Sequence, residues 1–175
     1  MSIDDVKTMK WVTRQYVHVD RTACPWLIKR FVDPKAEFVF VPAEKIAEIV
    51  EKEKAIPYDA PNVELGHHGE KCSFDSIVEK YKIKDPAVLE LAKIVRAADT
   101  DEMETVAEAA GLEAIMTGIG MIAKNDQEAI KKAGPVYDAL YTDCKLKLIR
   151  EKHKHEIEKM DRNQRREFLK KKLSE

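Results

Sequence analysis

The chain has 175 residues, of which 44% are hydrophobic, and a formal net charge of −1. This size allows one domain with or without an appendage, and the hydrophobic fraction excludes a globally disordered chain. Residues 145–175 contain 12 Lys or Arg against 6 Asp or Glu, whereas the other residues contain 19 against 26. An acidic body is therefore expected to carry a basic tail.

Two further features concern the cellular location. The sequence has no run of about 18 apolar residues, so we expect no membrane span, and its first residues lack the apolar segment of a secretory signal. The three cysteines, at positions 24, 72 and 144, are odd in number and far apart. This spacing does not suit a disulfide framework and favours a cytoplasmic protein with free thiols.

The first third of the chain predicts a βαβ unit. Residues 11–19 are rich in β-branched and aromatic types, an amphipathic helical pattern follows, and residues 36–41 form a second strand pattern. Strands joined in this way are expected to be parallel neighbours. A helix is predicted over residues 43–54, and residues 56–60 are either a third short strand or an extended loop.

The rest of the chain predicts helices. We expect one helix over residues 74–82, a second over 86–98, and a third that begins at a capping box formed by Asp99 and Glu102. A fourth, buried helix is expected over residues 112–123. A fifth is expected from Asn125 to about residue 134, and a last one from Pro135 beyond Leu169. The fold class is therefore mixed, helix-rich α/β, with a small, largely parallel sheet from the N-terminal third and a long C-terminal helix. Residues 1–10 are predicted to be a loose lead-in, 11–144 the domain, and 145–175 a basic helical extension. This extension could pack on the body, pair with another copy into a homo-oligomer, or remain in solvent.

The strand-to-helix turn at residues 20–24 is the first candidate site. Cys24 and Arg21 lie at a helix start, where free N–H groups and the helix dipole favour anions and lower a thiol pKa. Arg21 could hold an oxyanion in a bidentate manner, or could pair with Asp20 or Asp33. Cys24 could equally be a small buried residue, and Asp20 a helix cap. The C-x5-R spacing of Cys24 and Arg30 matches phosphatase loops, but the intervening residues have a helical pattern and no glycine, so we interpret it as a chance match.

A second candidate site is the loop from Glu64 to Cys72, which also contains His67 and His68. Carboxylate, imidazole and thiol groups within nine residues can bind a metal ion, although a surface loop with two histidines is the alternative. Like Cys24, Cys72 places a thiol near the N-terminus of a predicted helix. Asp99 and Asp101 could supply metal ligands or a general base, while capping alone would also explain Asp99.

Several motifs together resemble the C-terminal domain of the chromate-resistance protein ChrB family, over residues 11–144. The motifs that carry the resemblance are Trp11-Val-Thr-Arg14, Val19-Asp-Arg-Thr-Ala-Cys-Pro-Trp-Leu-Ile28, Arg30-Phe-Val-Asp-Pro34, Phe38, Val41-Pro42, Val63-Glu-Leu-Gly-His67, Gly69, Cys72-Ser-Phe-Asp75, Ile94-Val-Arg-Ala-Ala-Asp-Thr-Asp101, Glu108-Ala-Ala-Gly-Leu112 and Val136-Tyr-Asp-Ala-Leu-Tyr141. The resemblance implies a role in chromate resistance as a stress response. Longer members of the family resemble this chain in their second half, accompany a chromate transporter, and are regarded as sensors or regulators of its expression.

We therefore hypothesise one composite pocket, built from residues 20–24, 64–72 and 99–101, that binds an oxyanion such as chromate or sulfate, a divalent metal ion, or both. In a sensing or binding domain, Asp20, Arg21, Cys24 and Cys72 would bind the ligand. His67, Asp99, Asp101 and Glu64 would hold the metal. The alternative is an enzyme, either a thiol-dependent oxyanion reductase with Cys24 as the reacting group or a metal-dependent hydrolase. Nucleic acid is not expected as a partner, because the basic tail has one aromatic residue and no recognition motif.

Overall fold

The computed structural model describes residues 8–100 and 102–175. Its strands and α-helices are β1 Lys10–Arg14, α1 Val19–Phe31, β2 Glu37–Val41, α2 Ile46–Glu53, β3 Ile56–Pro57, α3 Ser73–Lys80, α4 Pro86–Asp99, α5 Ala109–Ile122, α6 Asp126–Lys152, α7 Lys154–Ile157 and α8 Arg162–Ser174. The predicted fold class, a helix-rich α/β fold with a small parallel sheet in the N-terminal third and a long helix toward the C-terminus, is confirmed. Of the predicted lead-in, residues 1–7 lie outside the described part.

The sheet has the order β2-β1-β3, and both pairs of strands are parallel. Residues 56–57 are therefore a short strand and not only a loop. Because side chains alternate along a strand, Trp11 and Val12 of β1 point to opposite faces. Trp11 belongs to the main core, together with residues of α1, α3, α4 and α6, whereas Val12 packs with Ile46 of α2 in a smaller core.

The edge of β2 is covered by the start of α6. The Gln127 side chain donates a hydrogen bond to the Phe38 carbonyl at 2.6 Å. An exposed strand edge is a site for unwanted pairing with other chains, and this contact satisfies one of its backbone groups.

The strand-to-helix turn lies earlier than predicted. β1 ends at Arg14, and Tyr16 has a left-handed backbone with φ of 61°. The Asp126 carboxylate accepts hydrogen bonds from the N–H groups of Tyr16 and Val17, so α6 holds the chain where it leaves the sheet. Asp20 consequently lies in the first turn of α1, and the predicted turn at residues 20–24 is wrong.

The helices from residue 99 onward also differ from the prediction. Pro135 lies inside one continuous α6, which holds Tyr137, Tyr141 and Cys144 in the core. A proline removes one helical hydrogen bond, and packing on both sides of it outweighs this loss. The predicted continuous tail is interrupted near His153 and Asp161, and α8 folds back against α6.

Helix α5 was expected to be buried, and this is wrong for the face that carries Ile115, Met121 and Ile122. Leu112 and Met116 are buried, but Met121 is 82% and Ile122 is 70% exposed. No helix of the described residues is both long enough and apolar enough to cross a membrane.

Candidate metal centre

Three carboxylates from separate parts of the fold surround the imidazole of His67. Its Nε2 atom lies 3.3 Å from Asp20 Oδ2, 3.3 Å from Asp59 Oδ1 and 3.2 Å from Asp99 Oδ2. Asp20 is in the first turn of α1, Asp59 follows β3, Asp99 ends α4, and His67 comes from the loop before α3. We call these four residues the acid cluster.

Asp20 is the most firmly held member of the acid cluster. Its carboxylate accepts hydrogen bonds from the backbone N–H groups of Ser73 at 2.6 Å and Phe74 at 3.0 Å, and only 1% of the residue is exposed. Because these N–H groups belong to the first turn of α3, Asp20 caps a helix other than its own. The N-terminus of α3, which could otherwise bind an external anion, is therefore already occupied.

Asp59 was not identified from the sequence. Its Oδ1 accepts a hydrogen bond from Ser73 Oγ at 2.9 Å, and its backbone carbonyl accepts hydrogen bonds from Thr13 Oγ1 and Arg14 Nε. The residue has a left-handed φ of 43°. The carboxyl ends of parallel strands lie at one edge of a sheet. The position of Asp59 just after a third strand could therefore have indicated that it belongs to the same site.

The proximity of the carboxylates changes the proton affinity of the acid cluster. A hydrogen bond with Asp20 and the charges of Asp20, Asp59 and Asp99 raise the pKa of His67 to about 9. Burial and the charges of Asp20 and Asp59 raise the pKa of Asp99 to about 7, and burial together with Asp20 raises the pKa of Asp59. Three carboxylates this close together favour a positive charge among them, such as the proton on His67.

Asp20, His67 and Asp99 are the residues that could hold a metal ion. One potential ligand atom from each lies within 4.8 Å of the others. Bonds of about 2.0–2.1 Å from a tetrahedral ion place neighbouring ligand atoms about 3.3 Å apart, which agrees with the distances from His67 to Asp20 and Asp99. Two oxygens and one imidazole nitrogen suit a divalent first-row transition metal.

Both arginines near the acid cluster pair with Asp59, and they differ in how much of the side chain is exposed. Arg21 Nη1 lies 3.4 Å from Asp59 Oδ2 and Arg21 Nη2 donates to the Tyr16 carbonyl, so its predicted pairing with Asp20 or Asp33 is wrong. Arg14, which the sequence analysis did not single out, has its Nη2 atom 3.6 Å from Asp59 Oδ2, but 38% of its side chain is exposed, against 17% for Arg21. Arg14, Asp59 and His67 line a cavity of about 330 Å³ beside the acid cluster.

The cysteines do not have the properties expected of reactive thiols. Cys24 and Cys72 are fully buried, and burial with the charge of Asp20 raises the pKa of both. The expected lowering of the Cys24 pKa is therefore wrong. The helix-start effect is outweighed because the thiol faces Asp20, whose Oδ1 is 3.5 Å from its sulfur. Cys72 caps α3 together with Asp75.

Two other predicted metal ligands are not in the acid cluster. Glu64 is exposed and its Oε1 lies 2.6 Å from Lys80 Nζ, so the structure does not bring it to the site. Asp101 lies outside the described residues. Asp99 does reach the site, but as the last residue of α4, so the predicted capping box at Asp99 is wrong.

A sequence profile described as "ChrB, C-terminal domain" matches residues 11–144, which include the whole acid cluster. The chain belongs to the ChrB C-terminal domain family. It is 33% identical over 134 residues to the protein named "Protein ChrB" of Cupriavidus metallidurans, an alignment that covers 76% of this chain and 40% of that protein. The chain thus corresponds to less than half of this ChrB relative. No solved structure shows a significant match to this ChrB-type chain.

Proposed function

We propose that this chain is a metal-dependent oxyanion-binding domain associated with chromate resistance. Asp20, His67 and Asp99 hold a divalent transition-metal ion, and Asp59 lies beside it. The observation that carries the proposal is the convergence of three carboxylates on His67 Nε2 within 3.3 Å. Family membership supports the association with chromate resistance.

Hydrogen bonds within the protein orient two carboxylates of the acid cluster, which supports a metal site over a chance group of acids. Asp20 is fixed by two N–H groups of α3, and Asp59 by Ser73. Ligands that are oriented by their own hydrogen bonds bind metal ions more tightly. Three protein ligands also leave a coordination position open for an exogenous ligand.

An oxyanion would reach this position from the side of Arg14. The side chain of His67 is 43% exposed, so the acid cluster is accessible from the adjoining cavity. The guanidinium of Arg14 pairs with Asp59 on one side, and its exposed part lines the cavity, where it would donate to a tetrahedral oxyanion. Without the metal ion, the carboxylates would repel chromate or sulfate, so anion binding depends on the ion.

The first experiment measures metal stoichiometry. Protein stripped with a chelator is incubated with Mn²⁺ or Zn²⁺, desalted, and analysed by mass spectrometry of the metal content. We expect about one ion per chain for the wild type and for His68→Ala, and loss of the ion for His67→Ala. His68 is the matched control because it is the neighbouring histidine and contacts the Glu64 carbonyl instead of the acid cluster. Retention of the ion in His67→Ala would refute the proposed centre.

The second experiment measures oxyanion binding. Chromate and sulfate are titrated into metal-loaded and metal-free protein, and saturable binding is expected only with the metal. Arg14→Gln should weaken binding about tenfold, whereas Lys10→Gln, at the other end of β1, should not. Equal binding with and without the ion would contradict the proposal.

A metal-dependent enzyme is the second candidate, and the open coordination position and accessible His67 favour it. The thiol-dependent version has no such support, because Cys24 and Cys72 are buried with raised pKa values. Turnover of chromate or of a hydrolysable ester by the metal-loaded protein, lost in His67→Ala, would establish the enzyme. Saturable binding without turnover would establish the binding domain.

A further inference from the structure

A second cavity lies between α1, the edge strand β2 and α6, and shares no residue with the acid cluster. Its volume is about 610 Å³. Trp26 and Pro25 of α1, Phe38 of β2 and Ile130 of α6 provide apolar walls. A volume of this size and an apolar lining are typical of sites for small organic molecules.

The polar groups around this cavity are mainly cationic. Lys29, Arg30 and Lys131 line it, against one carboxylate, Asp138. That carboxylate is already used, since it accepts a hydrogen bond from Trp26 Nε1 at 2.8 Å and pairs with Arg30. In residues 8–100 and 102–175, no carboxylate lies within 4 Å of the ammonium groups of Lys29 or Lys131. Two cations without a close counter-charge beside aromatic walls favour an anionic ligand.

Several motif residues meet at this cavity and are not explained by the metal centre. Trp26 and Arg30 on α1, Phe38 on β2 and Asp138 on α6 all belong to the motifs that carry the family resemblance. Arg30 lies over the rings of Trp26 and Tyr141. These contacts fix the walls of the cavity and hold α1 against α6.

Gly134 leaves one wall of the cavity open. It lines the cavity in the middle of α6, and a Cβ atom built on it has no heavy atom within 4 Å. A larger side chain at this position would therefore enter free space without displacing the protein. Leucine has a higher helix propensity than glycine, but Gly134 precedes Pro135, where a Cβ atom disfavours the helical backbone, so Gly134→Leu is tested for folding before it is titrated.

We propose that this cavity binds a small organic anion with a flat, apolar body and a carboxylate, phosphate or sulfonate group. The body would lie against the apolar walls of Pro25, Trp26 and Ile130. The anionic group would interact with Lys131 and with Lys29, whose ammonium lies 5.8 Å from the centroid of the Phe38 ring. This site is independent of the metal ion, so it can be tested whether or not the proposed metal centre exists.

The test uses two probes that share a body but differ in charge, 1-naphthalenesulfonate and 1-naphthylmethylammonium, titrated calorimetrically into the full chain. We expect saturable binding of the sulfonate, at least about tenfold tighter than the ammonium probe, and unchanged by a chelator. Gly134→Leu should abolish binding, whereas Gly118→Leu, at another glycine with open surroundings on α5, should not.

A charge variant keeps the test valid if Gly134→Leu fails to fold. Lys131→Gln should weaken sulfonate binding about threefold to tenfold, whereas Lys132→Gln, the neighbouring lysine of α6 that does not line the cavity, should leave it unchanged. The proposal is overturned if neither probe binds saturably, if both bind equally, if folded Gly134→Leu retains binding, or if Lys131→Gln and Lys132→Gln behave alike.

Discussion

The carboxylate of Asp20 accepts a hydrogen bond from the backbone N–H of Ser73, 53 positions away in the chain. This contact joins the start of α1 to the start of α3 and places the acid cluster at their junction. Asp20 thus has two roles, as the cap of a neighbouring helix and as a proposed metal ligand. The two roles can be separated, since the cap contributes to stability without any ion.

Substitution of Asp20 by alanine should destabilise the metal-free protein by about 2–4 kcal/mol, because two buried N–H groups of α3 would lose a charged acceptor. Urea unfolding in the presence of a chelator measures this change. Asp161→Ala is the matched comparison, because Asp161 caps α8 through two N–H groups at the surface. Asp161→Ala should lower the free energy of unfolding by about 1 kcal/mol. Equal losses in the two variants would argue against a buried cap at Asp20.

Metal binding should release protons, because His67 has its pKa raised to about 9 and must lose its proton to coordinate the ion. At pH 8, about one proton per ion is expected, since Asp99, with a pKa raised to about 7, is then mostly ionised. Calorimetric titration in two buffers of different ionisation enthalpy gives this number. Binding without proton release would mean that His67 is not a ligand.

Local sequence patterns predicted the secondary structure of the N-terminal third better than they predicted the contacts between distant residues. Strand and helix patterns predicted the βαβ unit, because alternation and amphipathicity are local properties, but they extended the first strand to residue 19, whereas β1 ends at Arg14. The hypothesis of one composite pocket predicted that Asp20, His67 and Asp99 would meet, as they do, but it did not include the contacts of Asp59. Those contacts depend on how α4 and β3 pack against α1, which one sequence does not reveal. The motif residues of the resemblance did indicate Asp20, His67 and Asp99.

One proline and one apolar segment led to wrong predictions. Pro135 was expected to separate two helices, but α6 continues through it because residues on both sides pack into one core. The apolar run at 112–123 was expected to be buried on every side. Only one face of α5 meets a neighbouring helix, so Met121 and Ile122 remain exposed.

The two faces of α5 should respond differently to truncation. Met116→Ala should lower the free energy of unfolding by about 2–4 kcal/mol, because Met116 is 1% exposed and truncation of its side chain leaves a cavity. Met121→Ala should change the free energy of unfolding by less than about 0.5 kcal/mol, since Met121 is 82% exposed. Chemical denaturation of both variants measures this. A large loss for Met121→Ala would show that this surface is covered in solution.

The stability of the metal-free protein should fall as the pH rises from about 6 to 9. The folded state binds protons at His67 and Asp99 more tightly than the unfolded chain, because both pKa values are raised. The stabilisation from His67 is fully present below its ordinary pKa of about 6.5 and is lost as the pH passes through about 9. Ionisation of Asp99, with a pKa of about 7, acts in the same direction.

Urea denaturation at several pH values in a chelating buffer measures this slope. The double variant His67→Gln/Asp99→Asn, which removes both titrations, should show a flatter profile over the same range. Bound metal should reverse the slope, because coordination favours the deprotonated ligands. A wild-type profile that rises with pH in the absence of metal would contradict the raised pKa values.

The three cysteines should be unreactive in the folded protein. Cys24 and Cys72 are fully buried and Cys144 is 1% exposed, and burial raises the pKa of each thiol, that of Cys144 to about 11. Since the thiolate is the reactive species, an aromatic disulfide reagent at pH 8 should modify them only as the chain unfolds. Ser174→Cys adds an exposed thiol on the tail as a positive control and should react within minutes, while all three native cysteines should react in guanidinium chloride. Rapid modification of Cys24 in the native state would restore the thiol-dependent alternative, because it would show that the buried sulfur becomes accessible as a thiolate without global unfolding.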